Sequence, residues 1–359
     1  MRVLLSAVFL AACSAPEPHS LALDTSLMTQ RGGWSSGRVG GLDAHVYVPV
    51  AEGRTGSGRG LMVAMHGCTM TYNDMRDNIA WVEMAEEWGV AVVLPDVPNG
   101  GQYARCWSYY GGSHSRSAGT PRQLLTLVDD LVADPDNGID PDQVYISGLS
   151  SGGGMAMVMG CLAPDVFAGV GIAAGPTIGT GASQISRVAT SESAATSTCR
   201  RLAGSASSDF ATQMTSVVSG TNDYTVAQGY GDLNVDVMGS LYEEAGAQLS
   251  SETVDVSALD GVSPRGRGRE WFDASGAARL SRLQVTGVGH AWPAGTGAGF
   301  GNAFIDPAGL DYAAYLAEWD EISLRDYGIL YERLKSSARD AVRAEIPLGI
   351  VLEEPRTGH

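Results

Sequence analysis

Residues 144–152 read Val144-Tyr145-Ile146-Ser147-Gly148-Leu149-Ser150-Ser151-Gly152, and a run of small and apolar residues continues to Leu162. Val144 to Ser147 suits a buried strand, and Ser151 to Leu162 suits a helix. Between them, G-x-S-x-G puts Ser150 on a sharp strand-to-helix turn. Such a turn lifts the serine hydroxyl above the sheet, and glycine on either side keeps side chains from colliding there. In a chain with 47 glycines the motif alone carries little weight. Its weight comes from the strand before it and the helix after it. Ser151 is the poorer nucleophile, because Leu149 stands where its first glycine belongs.

The surrounding segments alternate between strand and helix. Ala44 to Val50 alternates as a strand, while Gly60 to Met65 and Val90 to Leu94 are short buried strands. Asn73 to Trp88 has helical spacing, with Met75, Ile79, Val82, Met84 and Ala85 able to share a face. Gly100 to Gly119, rich in Gly, Ser and Tyr, reads as a long surface loop, and Pro121 to Val132 as a helix closed by Asp134-Pro135. Phe167 to Ala174, Met214 to Val218 and Leu283 to Thr286 are further strands, with a helix near Asp236 to Gln248. The expected fold class is therefore α/β, a mostly parallel sheet with helices on both faces.

A serine hydroxyl needs a base to take its proton, and with a strand-to-helix nucleophile the chain order is Ser, acid, His. Of the six histidines, His19 lies near the N-terminus and His359 is the last residue. His45 sits in an alternating strand, as a surface or edge residue; His114 is in the Gly-Ser loop, and His66 precedes Ser150. His290, in Gly287-Val288-Gly289-His290-Ala291-Trp292-Pro293, follows a strand late in the chain and is the expected base. Asp223 emerges where Ser216-Val217-Val218-Ser219 runs into Gly220-Thr221-Asn222, so it is the expected orienting acid. Asp232 and Asp236 are rivals with no strand leading directly into them. For the carbonyl oxygen of a substrate, the expected amide donors are Ser151 and Cys68, the latter in His66-Gly67-Cys68 after an early strand.

Composition narrows the setting. The chain has 359 residues, 44% hydrophobic and 18% charged, with a formal net charge of −17. That is enough apolar material for a full core and excludes a disordered chain. Lys335 is the only lysine. An acidic surface repels phosphate backbones, so no nucleic-acid partner is expected. Arg2, an apolar run from Val3 to Ala12 and the pair Ala11-Ala12 before Cys13 resemble a bacterial lipoprotein signal; the run is about half the length that spans a bilayer. Residues 1–12 are then a signal peptide, Cys13 is the lipidation site and the only membrane link, and residues 13–37 are a tether. The protein is expected to be exported, either lipid-anchored at the cell envelope or secreted. Cys68, Cys106, Cys161 and Cys199 remain, an even number that allows three pairings; Cys68–Cys106 with Cys161–Cys199 is the one expected. None has Cys-x-x-Cys spacing, so no metal site is expected.

With Ser150, Asp223, His290 and His66-Gly67-Cys68 in place, the chain resembles the polyhydroxybutyrate depolymerase family of α/β-hydrolase esterases. Arg105-Cys106-Trp107, the run Asp140 to Gly153, Gly220 to Asp223, Gly289 to Pro293 and Asp306-Pro307-Ala308-Gly309-Leu310-Asp311 share the likeness, in the family's order over roughly residues 40–320. The resemblance implies ester hydrolysis through an acyl-enzyme, without a cofactor, on short-chain hydroxyacyl esters such as hydroxybutyrate oligomers or polyester. It also implies that Trp107 and Trp292 line the acyl cleft. Residues 38–320 would be the catalytic domain and 321–359 a C-terminal helical extension.

Feruloyl and acetylxylan esterases share much of the pattern and stand as alternatives. A peptidase and a non-catalytic, lipid-anchored binding protein on the same scaffold are others. Asp134 to Gly138 lacks the closing Glu of a calcium loop and reads as a turn. Gly295 to Gly299 lacks dinucleotide spacing. Arg265, Arg267 and Arg269 read as a solvated loop.

Overall fold

The computed structural model describes residues 30–297 and 304–319. The leader 1–12, Cys13, the tether up to residue 29 and the extension 321–359 lie outside the described residues. The strands in chain order are β1 (Trp34–Val39), β2 (Leu42–Tyr47), β3 (Arg59–Met65), β4 (Val90–Pro95), β5 (Ile139–Leu149), β6 (Gly169–Ala173), β7 (Met214–Gly220) and β8 (Ser250–Val254). They continue as β9 (Gly261–Val262), β10 (Gly266–Phe272), β11 (Ala278–Val285), β12 (Trp292–Pro293), β13 (Ile305–Asp306) and β14 (Gly309–Leu310). The helices are α1 (Tyr72–Asn78), α2 (Trp81–Trp88), α3 (Gly119–Ala133), α4 (Ser151–Leu162), α5 (Glu192–Ala203) and α6 (Gly229–Glu244). Residues 312–319 are also helical.

Ten strands form one sheet in the order β1-β2-β4-β3-β5-β6-β7-β11-β10-β8. From β4 to β11 every neighbouring pair is parallel. Antiparallel strands finish both edges. The central strands are apolar on both faces, and the period of two sorts them cleanly. Leu61, Val63 and Met65 of β3 join one core with α3, α4, α5 and α6. Met62 and Ala64 join the other with α1, α2 and Tyr312, Tyr315 and Leu316. This is the expected α/β-hydrolase arrangement. All twelve residues of α4 are buried, so the helix behind Ser150 is wholly interior.

Several local readings change. The helix expected over Asn73 to Trp88 is two helices, because Ile79 is extended and turns the chain; the Trp81 indole N–H takes the carbonyl of Met75, 3.1 Å away. The tether ends earlier than expected, since Trp34 to Gly37 pair with β2. His45 is buried rather than at the surface: its ring stacks on Tyr72 and its nitrogens meet Ser36 and Asn73 at 2.7 Å. The 100–119 segment is not simply a surface loop, since Cys106, Trp107 and Tyr109 are buried. Arg267 and Arg269 are outward residues of β10. The helix expected near Asp236 begins at Gly229 and ends at Glu244.

Both expected disulfides form. Cys68–Cys106 closes a loop near the carboxyl end of β3, and Cys161–Cys199 ties α4 to α5, each with a sequence separation of 38. Cross-links over loops of this size restrict the unfolded chain, a stabilisation of about 2–4 kcal/mol. Replacing Cys161 and Cys199 together by Ala should lower unfolding free energy by about that amount in urea titration; an unchanged midpoint would contradict it. A second expectation concerns Asp311, at the start of the last described helix. Burial pushes its carboxyl from 3.8 up to about 6, with Asp260 and Glu83 adding to the shift and the Ala313 and Ala314 amides opposing it. The folded state therefore holds this proton more tightly than the unfolded chain, so its contribution favours folding at low pH and is lost as pH rises through 6. Asp311→Asn should flatten that part of the stability profile; a slope unchanged by the substitution would refute it.

Candidate active site

The nucleophile turn forms as its sequence requires. Ser150 has φ 57° and ψ −114°, a backbone conformation that costs a non-glycine residue on the order of 1–3 kcal/mol. Two hydrogen bonds hold it: its amide donates to Ala173 at 2.8 Å, and its carbonyl accepts from Gly154 at 2.9 Å. The flanking glycines are packed backbone to backbone. A methyl on Gly148 would stand 2.4 Å from Gly152, and one on Gly152 would stand 2.4 Å from the Met65 carbonyl oxygen. Glycine is thus demanded by contact with the β3 end as well as by the turn.

Three other strands end beside it. β7 and β11 are parallel neighbours, and the loops that follow them are joined by hydrogen bonds. Thr221 donates to Val285 and Asn222 to Val288, each at 2.9 Å, and the Gly287 amide donates to Thr221 Oγ1 at 2.9 Å. That mutual support presents His290 to Asp223. His290 Nδ1 is 2.8 Å from Asp223 Oδ2, and His290 Nε2 is 2.9 Å from Ser150 Oγ. Asp223 Oδ1 accepts from the amides of Thr225 and Val226 at 2.9 and 3.0 Å, so both carboxylate oxygens are engaged. The Asp223 side chain is 1% exposed and that of His290 9%. A buried carboxylate with full hydrogen bonding fixes the ring's orientation and its Nδ1–H tautomer, leaving Nε2 as the acceptor toward Ser150. The rivals go elsewhere: Asp232 pairs with Arg282, and Asp236 is exposed.

β3 pairs with β5 in a register that sets Met65 opposite Gly148, which brings His66-Gly67-Cys68 beside the serine. The space a Gly67 methyl would fill lies 3.4 Å from Ser150 Cβ. Ser151 is the first residue of α4, where amides lack helical acceptors. The loop carrying Cys68 is held by its disulfide and by the Thr69 amide, which donates to Ala104 at 2.7 Å. Thr69, Ala104 and Arg105 all have positive φ, so this is a tightly constrained crossing of two loops.

Trp107 and Trp292 do not line a cleft. Both are fully buried. Trp292 packs 5.5 Å from Trp81 and 5.1 Å from Tyr312, and Trp107 lies 5.5 Å from His66. Rings of this size gain most from complete burial. The Trp107 backbone amide nevertheless reaches the site, donating to Ser151 Oγ at 3.3 Å. Sequence reading gave no role to Asp96, or to Arg105 beyond its place in a matching segment, yet the two meet beside His66. Asp96 directly follows β4 and Arg105 precedes a bridged cysteine, but nothing in either segment points to the other. Among the described residues no group of three or more His, Cys, Asp or Glu is arranged to hold a metal.

A serine on a strained turn, hydrogen-bonded to a histidine and a buried aspartate at the carboxyl ends of a parallel sheet, defines an α/β-hydrolase. The sequence profile of the esterase PHB depolymerase family matches residues 43–255, and the chain belongs to that family. It is 37% identical to poly(3-hydroxybutyrate) depolymerase of Ralstonia pickettii over 82% of this chain and 62% of that protein. It is 28% identical to poly(3-hydroxyalkanoate) depolymerase C of Paucimonas lemoignei, over 72% of this chain and again 62% of the relative. The chain thus spans a little under two thirds of the length of these relatives. Among solved structures, an acetyl xylan esterase from Aspergillus awamori superposes with a TM-score of 0.59 at 18% identity, over 81% of this chain and 100% of the other, a likeness of fold.

Gly152→Ala should cost about 1–3 kcal/mol of stability, because its methyl meets backbone that cannot swing aside. The urea midpoint should fall accordingly; a variant as stable as the parent would show that the β3–α4 contact is looser than it looks.

Proposed function

We propose that the protein is an exported serine esterase that hydrolyses short-chain hydroxyacyl esters, such as hydroxybutyrate oligomers or polyester, through an acyl-enzyme. The observation that carries this is the hydrogen-bonded series from Ser150 Oγ through His290 to Asp223. Ser150 Oγ attacks the ester carbonyl carbon while His290 Nε2 takes its proton, and the carbonyl electron pair moves onto oxygen. The amides of Cys68 and Ser151 donate to that oxyanion. Collapse breaks the carbon–oxygen bond of the ester, and the departing alkoxide takes the proton from His290. Water then repeats the attack on the acyl-serine with His290 as base, releasing the acid and restoring Ser150. Asp223 orients the imidazole and stabilises its cation throughout.

The substrate class rests on what the two relatives are named for. The alternative, an acetylated plant polysaccharide, is supported by 29% identity over 147 residues to acetylxylan esterase A of Aspergillus ficuum. Export is supported by the leader and by the two disulfides, which persist in oxidising compartments. Lipid on Cys13 would fix the enzyme to the envelope while residues 38–320 work as the catalytic domain. A non-catalytic binding protein would have no use for a serine strained into contact with a histidine.

Hydrolysis of p-nitrophenyl butyrate, hydroxybutyrate oligomers and acetylated xylan tests the reading. The oligomers should be turned over best; Ser150→Ala should lower the rate roughly 10⁴-fold or more, and Asp223→Asn by about 10³–10⁴. Equal rates for parent and Ser150→Ala, or no hydrolysis by either, would reject the esterase assignment.

A further inference from the structure

The Cys68 amide proposed as an oxyanion donor belongs to the same planar unit as the Gly67 carbonyl, so whatever fixes that carbonyl also fixes the direction of the amide. His66 holds it: Nδ1 is 2.7 Å from the Gly67 oxygen. The other ring nitrogen, Nε2, is 3.0 Å from Asp96 Oδ1. The Val97 amide donates to Nε2 at 3.3 Å and to Asp96 Oδ1 at 3.1 Å, so the ring is held on both sides.

His66 is fully buried, so its polar ring nitrogens need a partner close by. Asp96 supplies it and is itself held by Arg105, one guanidinium nitrogen of which lies 2.5 Å from each carboxylate oxygen. Arg105 Nε donates to the carbonyl of Met70 at 2.9 Å, at the far end of the same loop. Burial alone would raise the Asp96 carboxyl, yet the hydrogen bonds and charges of His66 and Arg105 hold it below its ordinary value. The loop is therefore gripped at Gly67 through His66, at Met70 through Arg105, and at Cys68 through its disulfide. Asp96 joins the first two grips.

We infer that Asp96 is a positioning residue for ester hydrolysis: with Arg105 it fixes the His66 ring, and the clamped Gly67 carbonyl aims the Cys68 amide at the oxyanion. The inference rests on the esterase reading above. Asp96→Asn keeps the shape and removes the charge that pairs with Arg105, so the hold on the His66 ring, and through it on the Gly67 carbonyl, weakens.

The test is steady-state kinetics on p-nitrophenyl butyrate for the parent, Ser150→Ala, Asp96→Asn and Arg105→Lys, together with inhibition by a trifluoromethyl ketone, whose adduct carries the oxyanion. Asp96→Asn should lower kcat about 10- to 100-fold with KM within about 2-fold, and should weaken the ketone by a similar factor to kcat/KM. Arg105→Lys, which keeps a cation but loses the Met70 bond, should move the same quantities in the same direction by less, and it carries the test if Asp96→Asn fails to fold. Parent turnover abolished by Ser150→Ala, with kcat and ketone affinity unchanged in the Asp96 or Arg105 variant, would overturn this inference and leave the esterase reading intact. A rise in KM alone would also overturn it. A parent that turns over no ester would overturn both.

Discussion

Ser150 sits at φ 57° because the chain must pass from β5 into α4 within one residue, and the site depends on that turn being affordable. The strain is offset by the hydrogen bonds from Ser150 to Ala173 and from Gly154 to Ser150, and by a helix buried on every side. It is permitted by the absence of side chains at Gly148 and Gly152, where backbone meets backbone. The same contact sets α4 against the end of β3. The position of the serine and the position of the loop that faces it are thereby one packing problem rather than two.

Around the turn, loops are stiffened in pairs. The loops after β7 and β11 exchange amide and carbonyl groups, and this carries Asp223 and His290 as a unit. The loop after β3 is stiffened differently, by a disulfide, by an ionic hydrogen-bonded network and by a crossing with the 100–106 segment. Buried polar groups are costly unless each is satisfied, so a network of this kind has few alternative arrangements. That rigidity suits stabilisation of a charge that exists only in passing.

Much of this is legible in the chain itself. The nucleophile turn is a local signal, and so is the alternation of strand and helix that builds the sheet. His290 and Asp223 follow from the order in which strands deliver residues to one rim. Features that depend on what packs where are not legible. Trp107 and Trp292 look like cleft residues, but two rings with large apolar area end in separate cores on opposite faces of the sheet. β1 and β8 are the edge strands and β10 lies next to β8; all three carry exposed residues and no apolar run to announce them. The break at Ile79 comes from the need for Met75 and Trp81 both to reach one core, which helical spacing does not reveal. Asp96, His66 and Arg105 come from two strand ends and a loop, and only the closed fold makes them one group.

The covalent intermediate is the most direct test of the central claim. Mixing the enzyme with a p-nitrophenyl butyrate excess, quenching in acid within the first turnovers and mapping peptides by mass spectrometry should find one butyryl group on Ser150 that disappears once substrate is exhausted. Turnover with acyl at any other residue, or with the group still on Ser150 long after substrate is gone, would contradict it.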